Sequence, residues 1–424
     1  MYQYVNNLPL ADIEAETLNI IHSTFKSLEN ATQTIDNESR HQMLKYQYKL
    51  MRKLARKIET RVFRQLTPFD AFIYRYLLKG RYMLPNYRVY NFSNSEIKQR
   101  LAESVSLGTQ EMIFNNGLMP SMTSKLMFHS FNGLLDVARN FLHTVKPKEL
   151  EEPILNHFLD KVFENYNFIP YHNFAHAVSV LQFFDHMVKQ TPLLGTHFSE
   201  VNVFWVYIAC ICHDMTHYGK NNVYYIKRKH NLAFKSFEKS VLEHYHCEKT
   251  LKIMAATGCD IMGHIDVSEK AKFKQIIIES ILATDMAKHF TLLEEFNFLD
   301  LAKPLESSEF LKLSGFLVHS SDVANPALDF DNYLLWGELV SQEFHLQSLS
   351  EKKYNLAPTP FLQYGGREAF LKGQVGFING FVMPLFKAVT VKTQNGEFEN
   401  QCVENINTLK LMLEEKTEEN KVSS

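Results

Sequence analysis

From Val201 to Cys212 the chain is almost unbrokenly apolar, and the next two residues are His213 and Asp214. Such a run has to be buried, and an imidazole beside a carboxylate at its end carries a desolvation cost there. Two arrangements could offset it. His213, Asp214 and the nearby His217 could satisfy one another inside a core, or a bound metal could partner them. These residues alone leave both readings open.

The rest of the chain narrows the fold. From about residue 95 onward, long stretches of helical period alternate with short polar breaks, with no period-two strand runs. Gly and Pro number only 16 and 13, too few for an architecture of many tight turns. No strand-GxGxxG-helix unit, GxxxxGK[ST] loop or fixed-period repeat is present. These features predict an all-α chain with a large core, to which 33 Phe contribute. The expected organisation is a helical extension over 1–94, a catalytic domain over 95–418 and a polar tail over 419–424 that frays.

Within the extension, nine basic residues between Arg40 and Arg64 surround an apolar stripe at Met43/Leu44, Gln47, Leu50/Met51, Leu54, Ile58 and Val62. That spacing marks one face of a helix. It suits packing on the body or on a second copy, so a homodimer through these helices is one expectation; an anionic surface or regulatory partner is the other. The formal net charge of −2 offers no whole-chain signal for nucleic acid or an anionic membrane. The five cysteines form no framework and read as reduced intracellular thiols. No secretory signal is visible, and the apolar run at 201–212 falls short of a membrane span. A soluble cytoplasmic protein is expected, with peripheral membrane association left open but unsupported.

Three constellations carry chemistry. In Tyr171-His172-Asn173-Phe174-Ala175-His176, the two histidines are four apart and would share a helical face. His213, Asp214 and His217 form the second. Asp322 supplies the third, ahead of Asn325-Pro326, where the proline ends a helix. Two imidazoles and two carboxylates suit Zn²⁺, and a bridging carboxylate with open water positions suits Mg²⁺ or Mn²⁺ beside it. Paired metals serve the hydrolysis of a phosphate ester, with a spare histidine to protonate the departing oxygen.

The ordered set of motifs resembles the class I 3′,5′-cyclic-nucleotide phosphodiesterases, within the HD-type metal-dependent phosphohydrolases. It comprises Tyr171-His172-Asn173-x-x-His176-Ala177, His213-Asp214-x-x-His217-x-Gly219-x-x-Asn222, Ser240-x-x-Glu243, Thr284-Asp285-Met286, Asp322-x-x-Asn325-Pro326 and Gln374-x-Gly376-Phe377, and it spans roughly residues 95–415. The resemblance implies hydrolysis of a cyclic nucleotide to its 5′-monophosphate by a two-metal-activated hydroxide. It implies His176, His213, Asp214 and Asp322 as ligands of the first metal, with Asp214 bridging to the second. His172 would protonate the ribose 3′-oxygen, kept charged by Glu343. His217, Glu243, His246 and Asp285 would orient ligands and waters. Gln374 would read the purine edge and Phe377 would stack on the base opposite Val340. Tyr171, Met286, Val323 and Phe344 would line the remainder. Asn325 could add a contact that favours cAMP over cGMP slightly.

Several positions depart from the family's usual residues: Thr216, Tyr218, Ser179, Leu339 and the stretch His345-Leu346-Gln347-Ser348-Leu349. None is a proposed metal ligand. Two rivals are a phosphohydrolase acting on another nucleotide and a binding protein without turnover. The Gln374–Phe377 pair argues against the first, and the complete ligand set against the second.

Overall fold

The computed structural model describes residues 131–422, so the extension over 1–94, its basic stripe and residues 95–130 lie outside the described residues. The described residues contain helices and no strand. In chain order they are α1 (Phe131–Val145), α2 (Glu152–Glu164), α3 (Phe174–Gln190), α4 (Glu200–Cys212), α5 (Asn222–Lys227), α6 (Val241–Met254) and α7 (Val267–Leu282). Then follow α8 (His289–Phe298), α9 (Ser307–Asp322), α10 (Phe330–Lys353), α11 (Arg367–Phe377), α12 (Met383–Thr393) and α13 (Glu397–Val422), with single turns between some of them.

Local chemistry sets several starts. Ser199 caps α4 by accepting from Asn202 N–H at 3.2 Å. Asp329 does the same for α10, and Glu306 with Glu309 forms a reciprocal capping box on α9. Asn173 caps α3 through Ala175 N–H at 2.8 Å. That cap corrects one expectation: His172 precedes the helix that carries His176, and does not share its face. Asn173 takes the extended conformation of a capping residue, so helical geometry begins one residue later.

The apolar run becomes α4, with every residue from Phe204 to Cys212 buried. It packs against α1, α3, α6, α7 and α9. Trp205 stacks on Phe273 of α7 at 5.2 Å, and Tyr207 meets Phe141 of α1 edge-on. Each such side chain contributes about 1.5–3 kcal/mol by burial. This packing delivers His213 and Asp214 to a fixed place at the end of α4. A second layer joins α11 and α12 to α13, with Phe183 of α3 against Phe386 and Phe398.

The stretch Arg367–Thr393 is long and apolar enough to cross a membrane, with mean hydropathy 1.3. It is nonetheless α11, a π-turn over Ile378–Val382 and α12, packed on α13. The helix also continues to Val422, through the segment expected to fray. All five cysteines are free and buried.

Candidate functional site

The ends of α3, α4 and α9 converge. His176, His213, Asp214 and Asp322 bring one ligand atom each within 4.8 Å of one another. His176 Nε2 lies 2.8 Å from Asp322 Oδ1 and 3.5 Å from Asp214 Oδ2. His213 Nε2 lies 3.1 Å from Asp214 Oδ2 and 3.3 Å from Asp322 Oδ1. His213 Nδ1–H donates to Cys210 O at 2.9 Å, which turns Nε2 inward.

Besides His176 Nδ1, three atoms here are buried without a hydrogen-bond partner: His213 Nε2, Asp214 Oδ2 and His246 Nε2. Buried acceptors are rarely left so, and a divalent cation fits them. Against their burial, the neighbouring imidazoles hold both carboxyls well below the usual range. Burial opposes a charged His213, but the two carboxylates raise it well above the usual imidazole range; a divalent cation would displace that proton and neutralise the two negative charges then left on the four side chains.

A second triad adjoins the first: His172, His217 and Glu343. Glu343 Oε1 takes a short hydrogen bond from His172 Nδ1, and Oε2 accepts the N–H groups of Tyr171 at 3.0 Å and His172 at 3.2 Å. Burial works against a charged His172, but the Glu343 carboxylate outweighs it and raises the imidazole to about 9. Against its own burial, Glu343 is held at about 2 by His172. His217 stacks on His172 with centroids 4.0 Å apart. Burial and the charge on His172 bring His217 down to about 3. Its Nδ1 accepts Gly219 N–H at 3.0 Å, so any ring proton sits on Nε2.

The outer residues hold these groups in place. His246 Nδ1–H donates to Met215 O at 2.6 Å, and its Nε2 faces Asp214 Oδ1 at 3.6 Å. Burial lowers His246 to about 4, so it is a neutral acceptor there. Glu243 accepts from Asn222 Nδ2 at 3.0 Å, and burial with Asp285 nearby raises it to about 7. Asp285 accepts from Ser240 Oγ at 2.8 Å and caps the single turn Met286–Lys288. Thr216 sits between the two clusters with φ +67. Its N–H donates to Asn165 O at 3.0 Å and its hydroxyl to Met215 O, the carbonyl His246 also uses.

The pocket residues are less closely gathered. Tyr171 is buried, and its hydroxyl accepts from Asn325 Nδ2 at 2.7 Å. Gln374 Oε1 accepts the Tyr333 hydroxyl at 3.0 Å, leaving the amide nitrogen as donor. Phe377 stacks on Phe381 of the π-turn, with centroids 5.7 Å apart. Val323, Val340 and Phe344 are half-buried, Met286 is 40% exposed, and no ring contact joins Phe344 to Phe377.

Sequence reasoning missed Tyr333, Gly337 and Tyr166. A Cβ at Gly337 would come within 3.0 Å of Gln374 Oε1, so this glycine makes room for the amide. Helical register was the available signal, because Tyr333, Gly337 and Val340 share one face of α10. Tyr166 donates to Ile211 O at 3.0 Å and accepts Asp214 N–H at 3.4 Å, buttressing the end of α4. Only tertiary contact reveals that role.

A profile described as 3′5′-cyclic nucleotide phosphodiesterase matches residues 171–402. The chain is similar to a probable 3′,5′-cyclic-AMP phosphodiesterase (pde-4) of Caenorhabditis elegans, 29% identical over 251 residues, covering 57% of this chain and 37% of that protein. It is similar also to a dual 3′,5′-cyclic-AMP and -GMP phosphodiesterase (beta) of Plasmodium falciparum (isolate 3D7), 30% identical over 273 residues, 62% of this chain and 24% of the other. These curated relatives are thus much longer than the part of them this chain spans. Among solved structures, the phosphodiesterase domain of Salpingoeca rosetta rhodopsin phosphodiesterase superposes with a TM-score of 0.66 at 27% identity. That match covers 76% of this chain and 98% of the domain.

Proposed function

We propose, since this chain belongs to the 3′5′-cyclic nucleotide phosphodiesterase family, that it hydrolyses a 3′,5′-cyclic nucleotide to the nucleoside 5′-monophosphate. The observation that carries this reading is a charged imidazole, His172 on Glu343, beside a buried cluster of two imidazoles and two carboxylates with orphaned inward atoms.

In this reading His176, His213, Asp214 and Asp322 would hold a first divalent cation, and Asp214 would also serve a second. The donor set suits Zn²⁺ at the first position and Mg²⁺ or Mn²⁺ at the second. Bound there, such ions supply Lewis acidity at a phosphate oxygen and a water acidic enough to attack phosphorus at neutral pH. His172 gives its Nε2 proton to the ribose 3′-oxygen as the P–O bond breaks, and Glu343 keeps that proton in place at neutral pH. His246 and His217 orient the groups around Asp214, while Glu243 and Asp285 steady Asn222 and Ser240.

For the base, Gln374 offers its amide N–H, and the Asn325 nitrogen, engaged by Tyr171, leaves the carbonyl oxygen as acceptor. An amide donor and a carbonyl acceptor can complement a purine edge, adenine's included, with Phe377 as the stacking ring. Met286, Val323, Val340 and Phe344 complete the apolar walls.

Paired kcat/KM values for cAMP and cGMP test both levels of this reading. Hydrolysis of either supports the reaction, and a preference for cAMP that shrinks about fivefold in Tyr333→Phe supports the anchored amide. A chain that turns over neither, but cleaves deoxynucleoside triphosphates, would overturn the substrate class.

A further inference from the structure

The segment 227–239 has no part in the site above, yet it carries an unusual surface. Its thirteen residues include Lys227, Arg228, Lys229, Lys235 and Lys239 against a single acidic residue, Glu238. Two phenylalanines stand out of it, Phe234 at 59% and Phe237 at 86% exposure. The loop is built to hold them there. Phe237 and Glu238 both take left-handed backbone, φ +53 and +60, a conformation that costs an aromatic residue strain. Backbone bonds lock the turn: Phe237 N–H to Phe234 O at 3.2 Å, Glu238 N–H to Ala233 O at 2.8 Å and Lys239 N–H to Ser236 O at 3.1 Å. Beneath it lies a small core of Tyr225, Ala233, Val241 and Leu242.

Lys227 is taken up by Ala357 O at 2.7 Å and Thr359 Oγ1 at 2.8 Å, with Glu351 3.8 Å away, but the other cations are largely uncommitted. Among the described residues, Lys229 and Lys239 pair with no carboxylate, and Lys235 reaches Glu248 only at 3.8 Å with its side chain 67% exposed. Arg228 lies flat on Tyr354 at 3.7 Å, which steadies the guanidinium without neutralising it. Phe290, 60% exposed, has one nearby cation in sequence, Lys288, and rests against Phe381 at 5.8 Å. Phe298, 81% exposed, follows Glu294 and Glu295 and precedes Asp300, and Phe361, 82% exposed, lies in an uncharged stretch.

From this pairing we propose that 227–239 is a docking loop for an anionic phospholipid surface. Phe234 and Phe237 enter the boundary between headgroups and acyl chains, and Arg228, Lys229, Lys235 and Lys239 face the lipid phosphates. Charge complementarity selects this partner. A purely ionic role would leave the two rigidly presented apolar rings unexplained.

The test uses the full chain and vesicle co-sedimentation. The parent should sediment with vesicles containing phosphatidylserine and stay in solution with pure phosphatidylcholine, and raising the salt should release it. Phe234→Ser/Phe237→Ser should weaken partitioning at least about tenfold. Lys229→Gln and Lys239→Gln should each weaken it about fivefold. All variants should keep parental circular dichroism and parental turnover of soluble nucleotide. Failure of the parent to bind anionic vesicles would overturn the proposal. Undiminished binding by the double phenylalanine variant would overturn it too, because the contact would then lie elsewhere on the chain. If those substitutions instead abolish a concentration-dependent dimer in sedimentation velocity, without changing vesicle binding, the loop is a protein contact and the lipid assignment fails.

Discussion

The two histidine clusters are built from the same functional groups, imidazoles and carboxylates, sit side by side, and hold protons differently. In one, two carboxylates face two imidazoles, and the inward atoms of His213 and Asp214 lack hydrogen-bond partners. In the other, a single carboxylate takes a short bond from one imidazole and accepts two backbone N–H groups besides. The first has surplus negative charge and orphaned acceptors, the signature of a cation site. The second is neutral as a pair and internally satisfied, so it stores a proton. Stoichiometry and backbone donors, more than residue type, separate a ligand histidine from an acid histidine.

The sharpest way to break this contrast is to remove a carboxylate from the first cluster. Asp322→Ala should reduce turnover below detection and lower bound zinc measured by atomic emission, with helix content near the parent's. Near-parental activity would show that the cluster is structural.

Next in size is the proton store. His172→Ala should lower kcat by about 10²–10⁴-fold, and an effect confined to KM would rule it out as the acid. The sign with pH follows from the raised imidazole. His172 is charged below about 9, so the step it serves holds up to there and fails as pH rises through that value. Removing the Glu343 carboxylate leaves burial opposed only by Asp214 and Asp322. In Glu343→Gln the basic limb of the kcat profile should therefore fall from about 9 toward histidine's ordinary 6.5. A limb that stays in place would mean another group donates.

The smallest effect concerns the residue that separates the clusters. Thr216 stands between Asp214 of the first and His217 of the second, and a β-branched residue at φ +67 is strained. Asparagine tolerates this conformation, so Thr216→Asn should stabilise the protein by about 1 kcal/mol in urea unfolding. A loss would show that the hydroxyl bond to Met215 O outweighs the strain.

Much of this site was legible in the chain itself. An apolar run ending in His213-Asp214 had to be buried, and a scarcity of Gly, Pro and alternating patterns left helices as the fold. Motif order brought in His176 and Asp322 from far along the chain. Local spacing misled at His172, because four-residue separation implies a shared face only when both residues are helical, and Asn173 starts the helix between them. The anchoring of Gln374 by Tyr333, and the space left for it by Gly337, depended on α10 and α11 meeting.

Sequence alone determined which side chains are available and that a buried helix must end among them, since burial and period are written in local composition. Tertiary structure decided their protonation. Whether an imidazole is raised or lowered depends on which carboxylates and backbone donors other helices bring within a few ångströms, and on how much water they exclude. It also decided that Phe234 and Phe237 face outward in a basic loop, because exposure is a property of the packed chain.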